Sequence, residues 1–350
     1  MSCSFLRRVI ARLALLTCLG AALPAGCNGK AVPPSGADTR AALADIRDPR
    51  TRALSYSLRE AATTRNVDLD VEFFDDSKQQ RQRVRSWLAT GAAAIIVQPV
   101  DSDGSWKELL DEARALGVVV VTVDRRLQSV PLDAVAGHVG ADPEEQGANA
   151  AIAVRQVLAE LDRDPDLTGR EAPANEGSEN APPPHRRVLT FPGPDDATTR
   201  ARTRSFASGL STPHAVDSLD AIDPESFRAS PTEVIDSLRD AGTPGSLAVD
   251  VVFIHRASDA ARWLQSLRKA KLRPGRAVRI VCIGADVNTL LDVRTGAIAA
   301  CIDDDPLLGP VVLDHVSRLR QKLPTAPVVR VPSPIITQDS ASRLLPSRRY

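Results

Sequence analysis

The sequence is poor in aromatic residues and carries no net charge. Only 3% of its residues are Phe, Trp or Tyr, so an aromatic-lined groove or a base-stacking surface would be difficult to build. Its 44 lysines and arginines are matched by 44 aspartates and glutamates, and the two signs are interleaved along the chain. This balance lacks the basic patch of a nucleic-acid-binding protein. The composition therefore predicts that a ligand is held mainly by polar contacts, and that nucleic acid is not a partner.

The five cysteines do not have the spacing of a zinc site. Cys282 and Cys301 lie in short apolar stretches typical of buried strands, which predicts two buried free thiols, with a disulfide as the alternative. The acidic run Asp303–Asp305 lacks the spacing of a calcium loop, and no nucleophile motif accompanies the histidines. The sequence thus predicts neither an enzyme nor a metal or cofactor.

Long apolar runs are also lacking. The apolar stretch over residues 13–23 follows three arginines and is too short for a membrane-spanning helix. Small residues then precede Cys27, as in a bacterial lipobox. These features predict a signal peptide over residues 1–26 and a tether over residues 27–38, with Cys27 lipidated and anchored to a bacterial membrane in the periplasm or at the cell surface. Plain cleavage and release is the alternative.

Strand and helix patterns alternate through the rest of the chain. Residues 92–97 and 118–123 are continuous apolar strands, and the segment between them, residues 105–116, has helical periodicity. Such strands separated by helices predict an α/β fold whose parallel sheet is covered on both faces. A second series over residues 145–283 repeats the pattern and predicts a second sheet. The polar, proline-rich segment 163–186 is predicted to be a disordered surface insertion.

The order of short motifs resembles the periplasmic sugar-binding proteins of the ribose and galactose type, the receptors of ABC importers. The motifs are Asp48-Pro49, Gly91–Asp101, Gly117–Arg125, Val139–Asp142, Arg200–Phe206, Ile283–Asp286 and Asp304–Gly309. The resemblance spans about Ala41 to Leu345 and implies the type I periplasmic binding protein fold, two Rossmann-like lobes with parallel sheets joined by a multi-strand hinge. The implied lobes are residues 39–141 plus 305–330 and residues 142–304 plus 331–345.

Candidate ligand contacts follow the predicted strands, because ligands of open α/β sheets gather beyond the carboxyl ends of the strands. Asp124 and Arg125 stand where the family places a sugar-binding Asp-Arg pair. Arg200 and Asp286 stand where the family uses an arginine and an aspartate. A carboxylate accepts hydrogen bonds from hydroxyl groups and a guanidinium donates them, which suits a polyol. The alternative is that these four residues form salt bridges at strand ends without a ligand.

Three departures from the family pattern make the predicted pocket more charged. Arg50 and Thr51 replace an aromatic pair, Arg256 follows the eighth strand in place of an asparagine, and Asp304 replaces a glutamine. Such a pocket is more charged than a neutral hexose requires. An acidic or phosphorylated sugar is therefore an alternative ligand. A further alternative is that the pocket has diverged from the family and that its arginines pair with its aspartates.

The predicted function is that of an extracytoplasmic solute-binding lipoprotein. It would close on a small polar solute, in the first place a sugar, and deliver it to an ABC permease, its only attachment to the membrane being the lipid. Presentation of the solute to a membrane signalling receptor remains an alternative, and an enzyme on this fold is disfavoured. A repressor of the related family is set aside because a signal peptide stands where its DNA-binding helices would be.

Overall fold

The computed structural model describes residues 38–101, 104–127, 130–164, 186–191, 193, 196–211, 218–221, 230–239 and 247–350. The predicted signal peptide, Cys27, the tether up to residue 37 and almost all of the predicted insertion lie outside the described residues.

The described residues form twelve strands and ten α-helices. The strands are β1 (Thr39–Leu43), β2 (Leu69–Phe73), β3 (Ala94–Val97), β4 (Val119–Val123), β5 (Gly137–Ala141), β6 (Arg187–Phe191), β7 (Ser218–Ala221), β8 (Val251–Ile254), β9 (Arg279–Ile283), β10 (Ala300–Ile302), β11 (Val328–Val331) and β12 (Ile335–Ile336). The helices are α1 (Pro49–Arg65), α2 (Ser77–Ala89), α3 (Lys107–Ala115), α4 (Pro143–Arg163), α5 (Ala197–Leu210), α6 (Pro231–Ser237), α7 (Ala257–Lys269), α8 (Val287–Arg294), α9 (Gly309–Arg320) and α10 (Gln338–Leu344). None of these helices is both long enough and apolar enough to span a membrane.

The strands form two six-stranded sheets, as the repeated pattern predicted. The first has the order β11-β5-β4-β3-β1-β2 and is parallel throughout. The second has the order β12-β10-β9-β8-β6-β7 and is parallel except for the antiparallel pair of β10 and β12. We call the first sheet with its helices lobe A and the second lobe B. The predicted fold class of two Rossmann-like lobes is confirmed.

Both faces of each sheet are covered, which explains the continuous apolar strands. Ile95 and Ile96 are adjacent on β3, yet Ile95 packs in the layer of α2 and α3 and Ile96 in the layer of α1 and α9. Phe253 and Ile254 divide in the same way between the two layers of lobe B. Because successive side chains of a strand point to opposite faces, a strand covered on both sides needs apolar residues at every position.

The residues predicted to be structural are buried. Trp87, Trp106 and Trp263 are at most 3% exposed and belong to the core, as their position beside leucines at packing spacing predicts. Cys282 and Cys301 are buried free thiols on the neighbouring strands β9 and β10, as predicted. Burial raises the pKa of both thiols above its usual range.

One helix ends earlier than the sequence predicts. The pattern over residues 232–241 favours a helix to Ala241, whereas α6 ends at Ser237. Arg239 instead forms an isolated antiparallel bridge with Leu247. Backbone pairing with a distant residue therefore overrides the local helical preference at this point.

Aspartates begin several helices within a few residues of the preceding strand. Asp48, Asp142, Asp196 and Asp286 each cap a helix by accepting a hydrogen bond from a backbone N–H of its first turn.

The chain passes between the lobes three times, from β5 to α4, from β10 to α9 and from β11 to β12. The last passage is held to α4 by Asn149, whose side-chain amide donates to the Ser333 carbonyl oxygen at 2.8 Å.

Candidate functional site

Six polar side chains meet beyond the carboxyl ends of the strands, where the two lobes face each other. Three come from lobe A, two from lobe B and one from the connection between β10 and α9. We call them the cleft cluster, which consists of Arg50, Gln98, Asp124, Gln146, Arg202 and Asp304.

Arg50 lies in the first turn of α1 and bonds two carboxylates. Its Nε and a terminal nitrogen lie 3.0 Å and 2.5 Å from Asp124 Oδ1, and the same terminal nitrogen lies 2.9 Å from Asp304 Oδ1. Its other terminal nitrogen donates to the Asp304 carbonyl oxygen. Arg50 therefore joins lobe A to the second connection between the lobes. A planar guanidinium with several donors is suited to such multiple bonding.

Asp124 is held in place from both sides of its carboxylate. It follows β4 with a positive φ of 64°, a backbone conformation that non-glycine residues rarely adopt. Its Oδ2 accepts a hydrogen bond of 2.8 Å from Gln98, which follows β3 and is fully buried. Gln98 is itself fixed, because its side-chain oxygen accepts from the Ala44 backbone and from the Thr51 hydroxyl.

Asp304 receives its remaining bonds from lobe B. The side-chain amide of Gln146, in the first turn of α4, donates to Asp304 Oδ1 at 3.0 Å. Arg202, on α5, donates from Nε to the Gln146 side-chain oxygen at 2.8 Å and has a terminal nitrogen 3.5 Å from Asp304 Oδ2. Helices α4 and α5 can pack closely here because Gly147 has no side chain. A Cβ at this position would collide with the Arg202 carbonyl oxygen.

The cluster is balanced in charge. Two guanidinium groups face two carboxylates, and the side chains of Asp124, Asp304 and Arg202 are only 12–13% exposed. Burial by itself would raise the pKa of Asp124, but the Arg50 guanidinium lowers it below the usual range of an aspartate. Burial lowers the pKa of Arg202 and the charge of Asp304 opposes that effect. The arrangement therefore offers hydrogen-bond donors and acceptors without an excess charge.

A buried histidine borders the cluster. His255 follows β8, is 2% exposed and has its Nε2 3.3 Å from the Thr203 hydroxyl. Burial, with a smaller contribution from the charges of Arg202 and Arg256, lowers the pKa of His255 to about 3. The imidazole is therefore neutral at ordinary pH.

The other sequence-predicted site residues are not part of the cluster. Arg125 is exposed and lies 3.7 Å from the Asp48 carboxylate. Arg200 is exposed in the first turn of α5, and Arg256 is exposed at the start of α7. Asp286 is half-buried and caps α8 through a 2.7 Å bond from the Thr289 N–H. The structure thus brings together Arg50, Asp124 and Asp304 of the seven predicted residues, and a ligand-binding role for the other four remains a prediction.

The sequence contained a signal for one of the missed residues. Arg202 lies four residues before Phe206, which is fully buried, so both side chains belong to the inner face of α5. Arg200 does not share that spacing and is exposed. Gln98 and Gln146 gave no comparable signal, because a glutamine beside a strand or in a first helical turn is most often a surface residue.

A cavity of about 350 Å³ lies elsewhere, at the amino edge of the first sheet. It is lined by Thr39, Val67, Leu313, Val316, Ser317, Arg320 and Gln321. Thr39 begins β1, so this cavity opens at the edge opposite the cleft cluster. The cleft cluster is the better candidate site, because it lies beyond the carboxyl ends of the strands, where ligands of open α/β sheets bind, and receives side chains from both lobes.

The fold is similar to that of several solved sugar-binding proteins. The arabinose-binding component of an ABC transporter from Shewanella sp. ANA-3 is 21% identical, with a TM-score of 0.67 over 89% of this chain and 95% of that chain. A solute-binding protein from Actinobacillus succinogenes with bound D-allose is 15% identical, with a TM-score of 0.69 over 87% and 99%. A ribose ABC transporter protein from Conexibacter woesei is 14% identical, with a TM-score of 0.67 over 89% and 95%. At these identities the likeness establishes the fold.

Family membership rests on a separate comparison. No curated protein sequence matches this chain at the significance required. A family model described as a periplasmic binding protein domain, however, matches residues 51–309, a range that contains five of the six cleft-cluster residues. Because this match covers most of the sequence, the chain belongs to the periplasmic binding protein domain family.

Proposed function

We propose that the protein is an extracytoplasmic receptor that closes on a neutral sugar and delivers it to an ABC permease. The observation that carries the proposal is the cleft cluster, a charge-balanced set of donors and acceptors supplied by both lobes. Solved proteins of the same fold bind L-arabinofuranose and D-allose, and another belongs to a ribose ABC transporter, which supports a sugar as the solute class.

The donors and acceptors of the cluster suit hydroxyl groups. Each carboxylate oxygen can accept two hydrogen bonds, so Asp124 Oδ2, which accepts one from Gln98, has capacity for another. The guanidinium groups of Arg50 and Arg202 can donate to hydroxyl or ring oxygens. A sugar alternates donors and acceptors at short spacing and would therefore bind groups from both lobes.

Charge balance favours a neutral solute over an ionic one. Burying an anion beside Arg50 and Arg202 would leave it in competition with Asp124 and Asp304, which already bind those arginines. Like charges placed together in a poorly solvated cleft repel each other. A neutral polyol adds hydrogen bonds without this repulsion.

An acidic or phosphorylated sugar is the second candidate. It is favoured by Arg200 and Arg256, which are exposed and follow strands of lobe B at the carboxyl edge of its sheet. These arginines could meet a phosphate or carboxylate that extends out of the cluster. Binding of the anionic form alone would support this candidate and contradict the first.

A panel of matched sugars tests the proposal. Thermal unfolding of the mature protein would be measured with D-ribose against D-ribose 5-phosphate, and with D-galactose against D-galacturonate. L-arabinose and D-allose complete the panel. A sugar at 100 times its dissociation constant should stabilise the protein by about 2.7 kcal/mol. We expect a neutral member to raise the melting temperature more than its anionic counterpart. No shift with any member would contradict the proposed function.

We also propose that Cys27 anchors the protein to the membrane through a lipid. Support comes from the sequence alone, namely the basic start, the short apolar run and the small residues before Cys27. In a bacterial host, the wild type should fractionate with membranes and Cys27→Ala should not be processed and lipidated. Cys18→Ala, which removes a cysteine within the apolar run, is the matched control and should behave like the wild type. A fully released wild type would contradict lipidation.

A further inference from the structure

Three consecutive aspartates in the connection between β10 and α9 bind arginines on different sides. Asp304 accepts from Arg50 and Arg202 in the cleft cluster. Asp303 and Asp305, its neighbours, both face Arg348, with nitrogen–oxygen distances of 2.8 Å and 3.8 Å. Alternate side chains of an extended segment point in opposite directions, which explains the division. The acidic run is therefore an ordered set of ion pairs.

Arg348 belongs to a segment that contacts both lobes. The backbone carbonyl of Tyr350 accepts a 2.8 Å hydrogen bond from the N–H of Val287, at the start of α8 in lobe B. Arg349 lies 3.6 Å from Glu60 of α1 in lobe A. Arg348 itself is 7% exposed, donates to the Tyr350 hydroxyl oxygen and lies 5.0 Å from the centre of that ring. Its guanidinium is held against the connection between the lobes.

Asp303 depends on Arg348 more than Asp305 does, because Asp305 is 39% exposed and also accepts a hydrogen bond from the Leu307 N–H. Asp303 is 9% exposed, and its Oδ1 is buried with no hydrogen-bond partner in the described part of the chain. Arg348 supplies the charge that compensates Asp303 and also faces Asp305. Without it, the buried Asp303 would lose its counter-charge beside Asp304 and Asp305, and like charges this close repel when one of them is poorly solvated. The connection would then be free to turn another aspartate toward Arg50 and Arg202.

We propose that Arg348 is a positioning residue of the solute site, which holds Asp303 and Asp305 on one side of the connection so that Asp304 faces the cleft. The inference rests on the proposed function, since a site for solute must exist for Arg348 to act on binding. The arrangement of side chains that it requires can be measured without any solute.

The first measurement follows the arginine Nε–H signals by ¹⁵N nuclear magnetic resonance. In the wild type, the Nε–H of Arg50 and of Arg202 donate to Asp124 and Gln146, so both signals should be sharp and slow to exchange. In Arg348→Ala, both signals should shift and exchange faster with water. Arg186→Ala is the matched control, because Arg186 is also a buried arginine between two aspartates, Asp162 and Asp250, but lies at the amino edge of the second sheet. It should leave both signals in place.

The second measurement is affinity for whichever neutral sugar stabilises the wild type. Changes along a connected network typically alter the coupling between sites by about 2-fold to 30-fold. We expect Arg348→Ala to weaken binding about tenfold by this mechanism. Arg348→Lys should recover part of the loss, because an ammonium can still bond Asp303 but lacks the planar fork that faces both carboxylates.

The outcomes separate the two proposals. A folded Arg348→Ala protein whose Arg50 and Arg202 signals match the wild type would overturn the positioning role. If Arg348→Ala does not fold, the same signals are measured in Arg348→Lys and Asp305→Asn. Unchanged signals in both variants would overturn the positioning role of Arg348. If the signals change as expected but no sugar binds the wild type, the proposed function fails while the role of Arg348 in orienting Asp304 stands.

Discussion

The arginines of this protein near the cleft divide into a buried group and an exposed group. Arg50 and Arg202 bind buried carboxylates and join the two lobes, whereas Arg125, Arg200 and Arg256 are exposed around the same edge. Arg200 and Arg202 differ by only two positions on one helix. The residue type alone therefore does not decide the role of an arginine here. The role depends on whether the helix turns the side chain toward a buried carboxylate.

The comparison also changes the expected chemistry of the cleft. The seven site residues predicted from the sequence are four arginines and three aspartates, a positive excess that favours an anionic ligand. In the structure, each buried arginine has an aspartate partner, so the part of the cleft shielded from water is neutral. The exposed arginines are surrounded by solvent, where water and salt weaken their effect.

The largest effect should come from Asp304→Ala. This change removes the carboxylate shared by Arg50 and Arg202, which leaves the buried Arg202 without its carboxylate and the half-buried Arg50 with Asp124 alone. Breaking a buried ion pair from one side costs about 3–5 kcal/mol, so the free energy of unfolding should fall by that amount. Chemical denaturation would measure it. Asp314→Ala, an exposed aspartate on α9, is the control and should have little effect. Equal losses in both variants would contradict the importance of the cluster.

A second prediction compares Arg202→Ala with Arg200→Ala. Removing one partner of a buried charged hydrogen bond costs about 2–5 kcal/mol, so Arg202→Ala should weaken sugar binding at least about 30-fold. Arg200→Ala should change affinity by less than about threefold, because an exposed charge contributes little. Isothermal titration calorimetry with the best sugar decides between them. A stronger effect at Arg200 would restore the role that the family resemblance implies for it.

A third prediction concerns acid. Because the pKa of His255 is about 3 in the folded protein and about 6.5 in an unfolded chain, the unfolded state binds a proton first as the pH falls. His255 therefore reduces stability progressively below pH 6.5, by about 2 kcal/mol at pH 4.5. His255→Gln should flatten the decline in unfolding free energy between pH 6.5 and 4.5. Some slope should remain, because burial also lowers the pKa of His138 to about 4. An unchanged slope would contradict the lowered pKa of His255 in the folded protein.

The smallest effect should come from Arg125→Ala. Arg125 is 44% exposed and its distance to the Asp48 carboxylate is 3.7 Å. Exposed pairs of this kind contribute about 0–1 kcal/mol, so stability should fall by less than about 1 kcal/mol. Repeating the denaturation in 1 M salt should remove even that difference, because the screening length is then about 3 Å. A loss comparable to that of Asp304→Ala would show that exposure does not separate the two groups.

Much of the fold could be predicted from the sequence because its signals are local. The apolar runs at residues 92–97 and 118–123 contain strands β3 and β4, and periodicity over residues 145–161 lies within α4. The end of α6 could not be predicted, because it depends on a bridge between Arg239 and Leu247. Local propensity does not contain information about such distant partners.

The candidate site was only partly predictable for the same reason. Strand ends pointed to Asp124, and the departures from the family pattern pointed to Arg50 and Asp304. Arg202 could have been recognised from its spacing to Phe206, but its bond to Gln146 joins residues 56 positions apart on two different helices. No pattern in either segment predicts that the side chains of Arg202 and Gln146 contact each other.

The sequence by itself determined the alternation of buried strands and capped helices, because hydrophobic periodicity and capping act over a few residues. The pairing of charges was decided only by the tertiary structure. Asp303, Asp304 and Asp305 are the same residue type, yet Asp304 binds Arg50 and Arg202, whereas its two neighbours face Arg348, which lies 45 positions after Asp303. A carboxylate binds whichever cation the packing of the lobes brings within a few ångströms, because electrostatic attraction depends on distance and burial and not on separation along the chain.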